Sequence, residues 1–597
     1  MDEEGREAKD KYNWRAVTRN GTLTISRDKK TVTVNWLESS DKNITSGLNY
    51  KGRAMELSDL SEYNGHLLSP DDKTGMLYEI EDGKAIPWVF LNSGPGNTTK
   101  GMKAEWLTVK DGLLYVGGHG TEYRNETGAV VSEDSMWIKT ITKTGEVKSE
   151  NWKDIYTNMR NKAGYSEPGY LTHEAAQWSE TRQKWYFLPR KASTTVYNKT
   201  EDETKGAHIL IEADPELTEF KVIYVKNPKG SRKDHPERGF SAFDFIPNTD
   251  DKLIVAIKSK EVTGSPPESY ITVFNVDGQI AWTIGASALN VKYVRDWRDT
   301  YNIIPRTFTW KENDDGSITY NLLVITDMDQ YGRTAPDNWR AVTRKGTLTL
   351  KEKEVEIKWI EGSDQNITSG LNYKGRAMEL SDLSEFNGHL LSPDDKTGML
   401  YEIKDGKAIP WVFLNSGPGN TTQGMKAEWL TVKKDLLYVG GHGTVRSKNW
   451  KKVYSRMRNK AGYRKPGYLT HEAVQWSPIR RKWYFLPRKA STTIYNETED
   501  EMKGAHILIE ANPKLTEFNV IYVKNPKGDR KDHPERGFSA FDFIPYTYDE
   551  LIVAIKSKEV TGSPPESYIT VFNVNGRVLL PDQKLDGNLK FEGIYFV

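Results

Sequence analysis

Cysteine is absent from all 597 residues, which excludes disulfides, zinc–thiolate sites and a cysteine nucleophile. No apolar run approaches the roughly 20 residues that a membrane-spanning helix needs. The N-terminal MDEEGREAKDKYNW lacks the apolar core of a signal peptide. An excess of one charge is also missing: 84 Lys and Arg stand against 83 Asp and Glu, a net charge of +1. Without a basic block, general nucleic-acid binding is not expected. Nor does the chain hold a Gly-x-x-x-x-Gly-Lys-Ser/Thr loop, a Rossmann fingerprint or a Gly-x-Ser-x-Gly elbow. Any nucleotide bound here is bound without a P-loop.

What the chain does hold is core material in a polar setting. Apolar residues make up 37% of it and the mean hydropathy is −0.69. Its 18 Trp, 30 Tyr and 18 Phe recur along the whole length, against the composition of disordered chains. The length is about twice that at which one hydrophobic core stops growing, so two or more domains are expected.

Self-comparison explains the length. Residues 51–121 align with 374–444 at an offset of 323, with differences only at 63, 81, 100, 111 and 112. From Asn151, aligned with Asn449, the offset falls to 298, so the second copy lacks 25 residues around TEYRNETGAVVSEDSMWIKTITKTGEVKSE. The expected division is a first copy at 1–280, a linker or leader at 281–320 rich in Gly, Pro, Asn and Asp, and a second copy at 321–597. NLLVITDMDQYG (321–332) and LLPDQKLDGNLKFEGIYFV have no counterpart in the first copy.

Within each copy, short apolar runs alternate with turn signals. The first should form strands at 77–80, 86–90, 105–109, 113–118, 184–188, 207–211, 253–258 and 269–276. Asn64-Gly65 and Asp82-Gly83 mark tight hairpins. Only residues 150–165 resemble a helix, ending at Ala163-Gly164. An all-β class follows, as a barrel, large sandwich or propeller.

Acidic and hydroxyl residues stand out in strand-like contexts: Ser58, Glu105, Glu174 and Ser241, repeated as Ser381, Glu428, Glu472 and Ser539, with Glu592 added in the second copy. A carboxylate between Ala, Trp and Leu is costly to bury unpaired. If several converge they call for a cation, and all-oxygen donors favour calcium over zinc; otherwise they point outward from half-exposed strands. His173 lacks a second His at ligand spacing and reads as a structural histidine. Asp327 and Asp329, sharing one face of a strand end, bind a cation or orient water, or else form a solvated turn. Asp71-Asp72 is turn-like. Arg190, fixed by the preceding Pro, grips phosphate or remains a surface charge.

Together KGRAMELSDL, KGMKAEWL, YLTHEAAQW, WYFLPRKAS, GFSAFDFIPNTDD and KFEGIYF resemble the calcium-activated nucleotidase, or apyrase, family across nearly all of both copies. The resemblance implies a five-bladed β-propeller in two tandem copies, the first without its closing strands. It implies Ca2+ near the centre and hydrolysis of nucleoside di- and triphosphates. Calcium ligands would fall on Ser381, Glu428, Glu472, Ser539 and Glu592, matched in the first copy by Ser58, Glu105, Glu174 and Ser241. The cleft aspartates would be Asp327 and Asp329, with Asp395 and Arg488, matched by Asp72 and Arg190. Only the second copy has the full set, so catalysis is expected there. The alternative is a calcium-binding propeller that holds nucleotide or a protein without turnover. Eight Asn-x-Ser/Thr sites, at Asn20, Asn43, Asn97, Asn125, Asn198, Asn366, Asn420 and Asn496, favour secretory ancestry, against the missing signal peptide.

Overall fold

A computed structural model describes residues 13–25, 32–125, 129–225, 235–280, 309–352, 354–441, 450–524 and 533–597. The chain divides into two compact units, 1–299 and 300–597. In both, consecutive segments meander into small antiparallel sheets. All eight strands expected in the first copy are present, from Met76–Glu81 to Glu268–Asn275. Asn64-Gly65 links paired Tyr63 and His66, and Asp82-Gly83 links paired Glu81 and Lys84. The four turn residues have φ of 52, 81, 49 and 75°, the left-handed values that a two-residue hairpin needs. The expected helix is Lys153–Lys162, and it stops where Gly164 turns to φ 86°.

Three sheets of the first unit have four strands: Ser61–Tyr63 to Lys84–Phe90, Trp106–Lys110 to Val147–Asn151, and Tyr170–Ser179 to Phe220–Tyr224. A fourth, comprising Arg238–Phe245, Leu253–Lys260 and Glu268–Asn275, has three. Ile209–Ala213 shows how the sheets stack, since every residue in it is buried. Its Ile209, Ile211 and Ala213 join a Trp-rich cluster with Trp106, Trp152, Trp178 and Trp185, while Leu210 faces a Phe-rich one with Phe240, Phe243 and Phe274. A strand apolar on both faces requires a packed layer on each side.

Among the described residues the second unit repeats this arrangement with two main differences, besides a fourth strand, Val578–Leu585, in the sheet that begins with Arg536–Phe543. Trp429–Lys433 and Leu436–Gly440 form a two-stranded sheet. The missing 25 residues correspond to Trp137–Ile141 and Val147–Asn151, the outer strands of the first unit's sheet. The second difference is closure. Ile318–Thr326 pairs with both Asn338–Lys351 and Phe591–Phe596, in register Leu322↔Phe596 and Val324↔Ile594. Early and late segments of the unit therefore share one sheet. Of the expected linker, 281–308 lies outside the described residues, while Trp310–Glu312 and the start of Ile318–Thr326 are strand. There the Ile318, Tyr320 and Leu322 alternation outweighs the Asp-Asp-Gly turn before it.

One close approach fixes a residue type. Gly440 lies opposite Trp429, whose ring is fully buried, and a Cβ on Gly440 would lie 2.1 Å from that ring. Gly440→Ala should destabilise the unit by about 1–3 kcal/mol, seen as a lower midpoint in thermal unfolding.

Candidate functional site

The strand Ile318–Thr326 delivers Asp327 to the interior of the second unit, where it is 4% exposed. The next residues leave the strand. Asp329 begins a short 3-10 turn at φ 45°, and its N–H donates to Asp327 Oδ1 at 2.7 Å. The pair is thus not side by side on a strand face, as expected from the one-residue spacing. The turn is only partly solvated, with Tyr331 exposed, and both carboxylates close on Lys590 Nζ, at 2.5 Å for Asp327 and 3.3 Å for Asp329. Glu379 joins from the segment bridged to Asp327. One carboxylate oxygen from each of Asp327, Asp329 and Glu379 lies within 4.8 Å of the others.

Around this triad, ion pairs link the second-copy carboxylates singled out in the sequence. Arg376 holds Glu379 at 2.7 Å and Asp329 at 2.8 Å. Lys396 contacts Glu379 at 3.1 Å, and Lys426 contacts both Asp395 and Glu428 at 2.5 Å. Arg488 pairs with Glu472, with Glu592 at 2.8 Å and with Glu559 at 2.8 Å. Lys590 completes the network on Glu559 at 2.7 Å and Glu592 at 3.3 Å. Eight carboxylates here face five cations. Burial, and then Asp327 and Asp395, pushes Glu379 up to about 9, against the pull of Lys396 and Arg376. Burial likewise raises Asp327 and Glu592 above their ordinary values despite Lys590.

Within this network Ser381 Oγ and Asp395 Oδ1 are buried without a hydrogen-bond partner, as is Asp72 Oδ1 in the first unit. Ser539 donates weakly to the carbonyl of Phe591 at 3.2 Å. Oxygen-only donors, surplus negative charge and unpartnered lone pairs suit a hard cation such as calcium.

In the first unit Ser58 donates to Glu105 at 3.3 Å, Lys103 ties Glu105 to Asp72, and Arg190 holds Glu174 and Glu261. Ser241, half-exposed, donates to the carbonyl of Ile257 at 3.4 Å. Asp71 is structural: it accepts from the N–H groups of Met55, Glu56 and Lys73 and from Thr74 Oγ1. His173 is buried against Tyr156 and Phe187. No described residue there supplies what Asp327, Asp329, Lys590 and Glu592 supply in the second unit.

Glu379, Arg376, Lys396, Lys426, Glu559 and Lys590 were not singled out in the sequence. Arg376 and Glu379 lie inside the repeated KGRAMELSDL and Lys426 inside the repeated GMKAEWL, so the repeat itself was the usable signal.

The apyrase sequence profile matches residues 1–293, then 326–445 and 441–597. The junction of the last two stretches falls at the 25-residue deletion. Apyrase apy-1 of Caenorhabditis elegans is 46% identical over 274 residues, 46% of this chain and 76% of that protein. Soluble calcium-activated nucleotidase 1 of Rattus norvegicus is 46% identical over 276 residues, 46% of this chain and 66% of that protein. An apyrase of Cimex lectularius is 39% identical over 280 residues, 47% of this chain and 75% of that protein. Matched along nearly its whole length, and twice over, the chain belongs to the apyrase family.

Proposed function

We propose that the second unit is a calcium-dependent nucleotidase that releases phosphate from nucleoside di- and triphosphates. One observation carries this reading: a buried cluster whose carboxylates outnumber its cations and whose Ser381 Oγ and Asp395 Oδ1 lack partners. The relatives named apyrase and calcium-activated nucleotidase give it its substrate class and its metal. Ser381, Glu428, Glu472, Ser539 and Glu592 would hold Ca2+, which takes six to eight oxygens at about 2.3–2.6 Å. When bound, the ion neutralises charge on the phosphoryl oxygens.

The chain's own groups divide the remaining work. Arg488, which pairs with Glu472, Glu559 and Glu592, would position those carboxylates and grip the phosphate chain. Arg376 and Lys426, whose side chains are 42% and 53% exposed, offer further phosphate contacts. Asp327, Asp329 and Asp395 orient the attacking water and accept its proton.

Sheets packed on both faces, and a late strand paired with an early one, support a five-bladed propeller. In this reading the first copy lacks its closing strands, and its Asp72 and Arg190 are remnants of a substrate site. All eight sequon asparagines are exposed, which supports passage through the secretory pathway. Among the described residues, no helix is long and apolar enough to cross a membrane.

The test is phosphate release from ADP, UDP, GDP and ATP with calcium, magnesium or chelator. Calcium-dependent release supports the enzyme, whereas tight binding without release supports the non-catalytic alternative. Glu428→Gln should raise the calcium concentration for half-activation by about tenfold or more, because one anionic ligand is lost with its shape kept. Excess calcium should restore part of the rate. An unchanged calcium dependence removes Glu428 from the ligand set.

A further inference from the structure

The near-zero charge of the whole chain hides a local difference between the two copies. Residues 449–465 of the second carry seven basic side chains and no acidic one, whereas the aligned residues 151–167 of the first carry three basic and two acidic. Asp154, Asn158, Ser166 and Glu167 become Lys452, Arg456, Arg464 and Lys465. The packing underneath is the same. In both units the helix, Lys153–Lys162 or Lys451–Lys460, buries Met159 or Met457 in a Trp-rich core.

The added charge works against the helix that carries it. Lys452, Arg456 and Lys460 recur at intervals of four, so like charges share one stripe. The first turn holds Asp154 in the first unit and no acid in the second, and cations at that end oppose the helix dipole. Acidic partners are lost as well. In the first unit Lys153 pairs with Glu133 at 2.8 Å and Arg160 with Glu122 at 3.0 Å. Residues 442–449, which stand before the helix in the second copy and lie outside the described residues, contain no Asp or Glu. Lys452, Arg456, Lys460, Arg464 and Lys465 are exposed, and among the described residues they have no ion-pair partner. Arg458, the counterpart of Arg160, has a buried Nε without a hydrogen-bond partner.

We infer that this face of the second unit binds a sulfated polysaccharide. From Lys452 to Lys460 the stripe runs about 12 Å, and Arg464 and Lys465 follow it, which suits a linear polymer with closely spaced anionic groups. Guanidinium and ammonium groups would bind sulfate oxygens through charge-assisted hydrogen bonds. Other polyanions fit less well. Within 449–465, Trp450, Tyr454 and Tyr463 pack on the core, which leaves no ring for a base to stack on and no apolar side chain to enter a bilayer. Passage through the secretory pathway, proposed above, would also take the chain away from nucleic acid and from the anionic cytoplasmic leaflet. None of these residues takes part in the carboxylate cluster, so binding and turnover can fail separately.

The experiment titrates the full chain into fluorescein-labelled heparin at about 0.1 M salt and follows anisotropy, with chelator present to silence the calcium site. Saturation is expected by about 10 µM, with unsulfated hyaluronan at least about tenfold weaker. Raising salt to about 0.3 M should weaken heparin binding by about tenfold or more. Lys452→Asp with Arg456→Asn, and separately Arg464→Ser with Lys465→Glu, should each weaken it by at least about tenfold. The first copy carries these residues on the same helix, so the melting point should not fall and calcium-dependent turnover should not change. No saturation by about 100 µM, equal binding of hyaluronan, or unchanged binding by both variants overturns the inference. So does equal or tighter binding of single-stranded RNA or of phosphatidylserine vesicles, which would make another polyanion the occupant.

Discussion

Asp327→Ala in the full chain should lower calcium-dependent phosphate release by on the order of 100-fold or more. Asp327 is, with Glu379, a buried member of the triad, and it lies closer to Lys590 than Asp329 does. Its removal takes away a water- or metal-orienting oxygen and leaves Lys590 misdirected. The backbone should hold, since the Asp327 N–H to the Lys590 carbonyl, at 2.9 Å, does not involve the side chain. Unchanged thermal unfolding with lost turnover is the expected pair of results. Glu105→Ala, at the first-unit position matching Glu428, should leave turnover within about twofold, because the proposed catalytic residues all belong to the second unit. Loss of turnover in Glu105→Ala would mean that activity depends on both units and would overturn the assignment to the second.

Lys590→Ala should be the most destabilising single change at the site. The ammonium is the shared partner of Asp327, Asp329, Glu559 and Glu592. Removing it leaves buried carboxylates uncompensated, which costs about 3–5 kcal/mol, or roughly 6–15 °C in the melting point of a unit this size. The pH dependence has a definite sign. Asp327 and Glu592 already have folded-state values above their ordinary ones, so the folded state binds more protons than the unfolded chain. Stability then falls as pH rises from the ordinary carboxylate range toward those raised values. Lys590→Ala raises them further, so its loss relative to the parent should be smaller at pH 5.5 than at pH 8. Added calcium should recover part of it. A melting point that differs equally from the parent at both pH values would show that these carboxylates do not sense Lys590.

The strands and turns were legible because their signals are local. Leu253 to Ile257 form a short apolar run rich in β-branched residues, Asn-Gly and Asp-Gly carry their own backbone preference, and the deletion fell on recognisable strands. Asp327 and Asp329 were also visible, as acids at the end of an apolar run. Their geometry was not: a period of two holds only while the strand continues, and it stops at Thr326. Glu379 and Lys590 escaped notice for another reason. Each is an ordinary charged residue in its own neighbourhood, and its role arises from partners far away in sequence. Arg488 shows the same limit, since its position after Pro487 was readable but not the three carboxylates that occupy it.

The pairing of Ile318–Thr326 with Phe591–Phe596 also sets a timetable. Lys590 is 263 residues beyond Asp327, and at about 5–20 residues per second the ribosome needs on the order of 10–50 s to make that span. Hairpins form in microseconds, so the intervening sheets can be complete while Leu322 and Val324 still present an unsatisfied edge. During synthesis this edge is the part of the unit most open to misassembly, and yield in cells should respond to translation speed and chaperone supply more than to the final stability of the closed form.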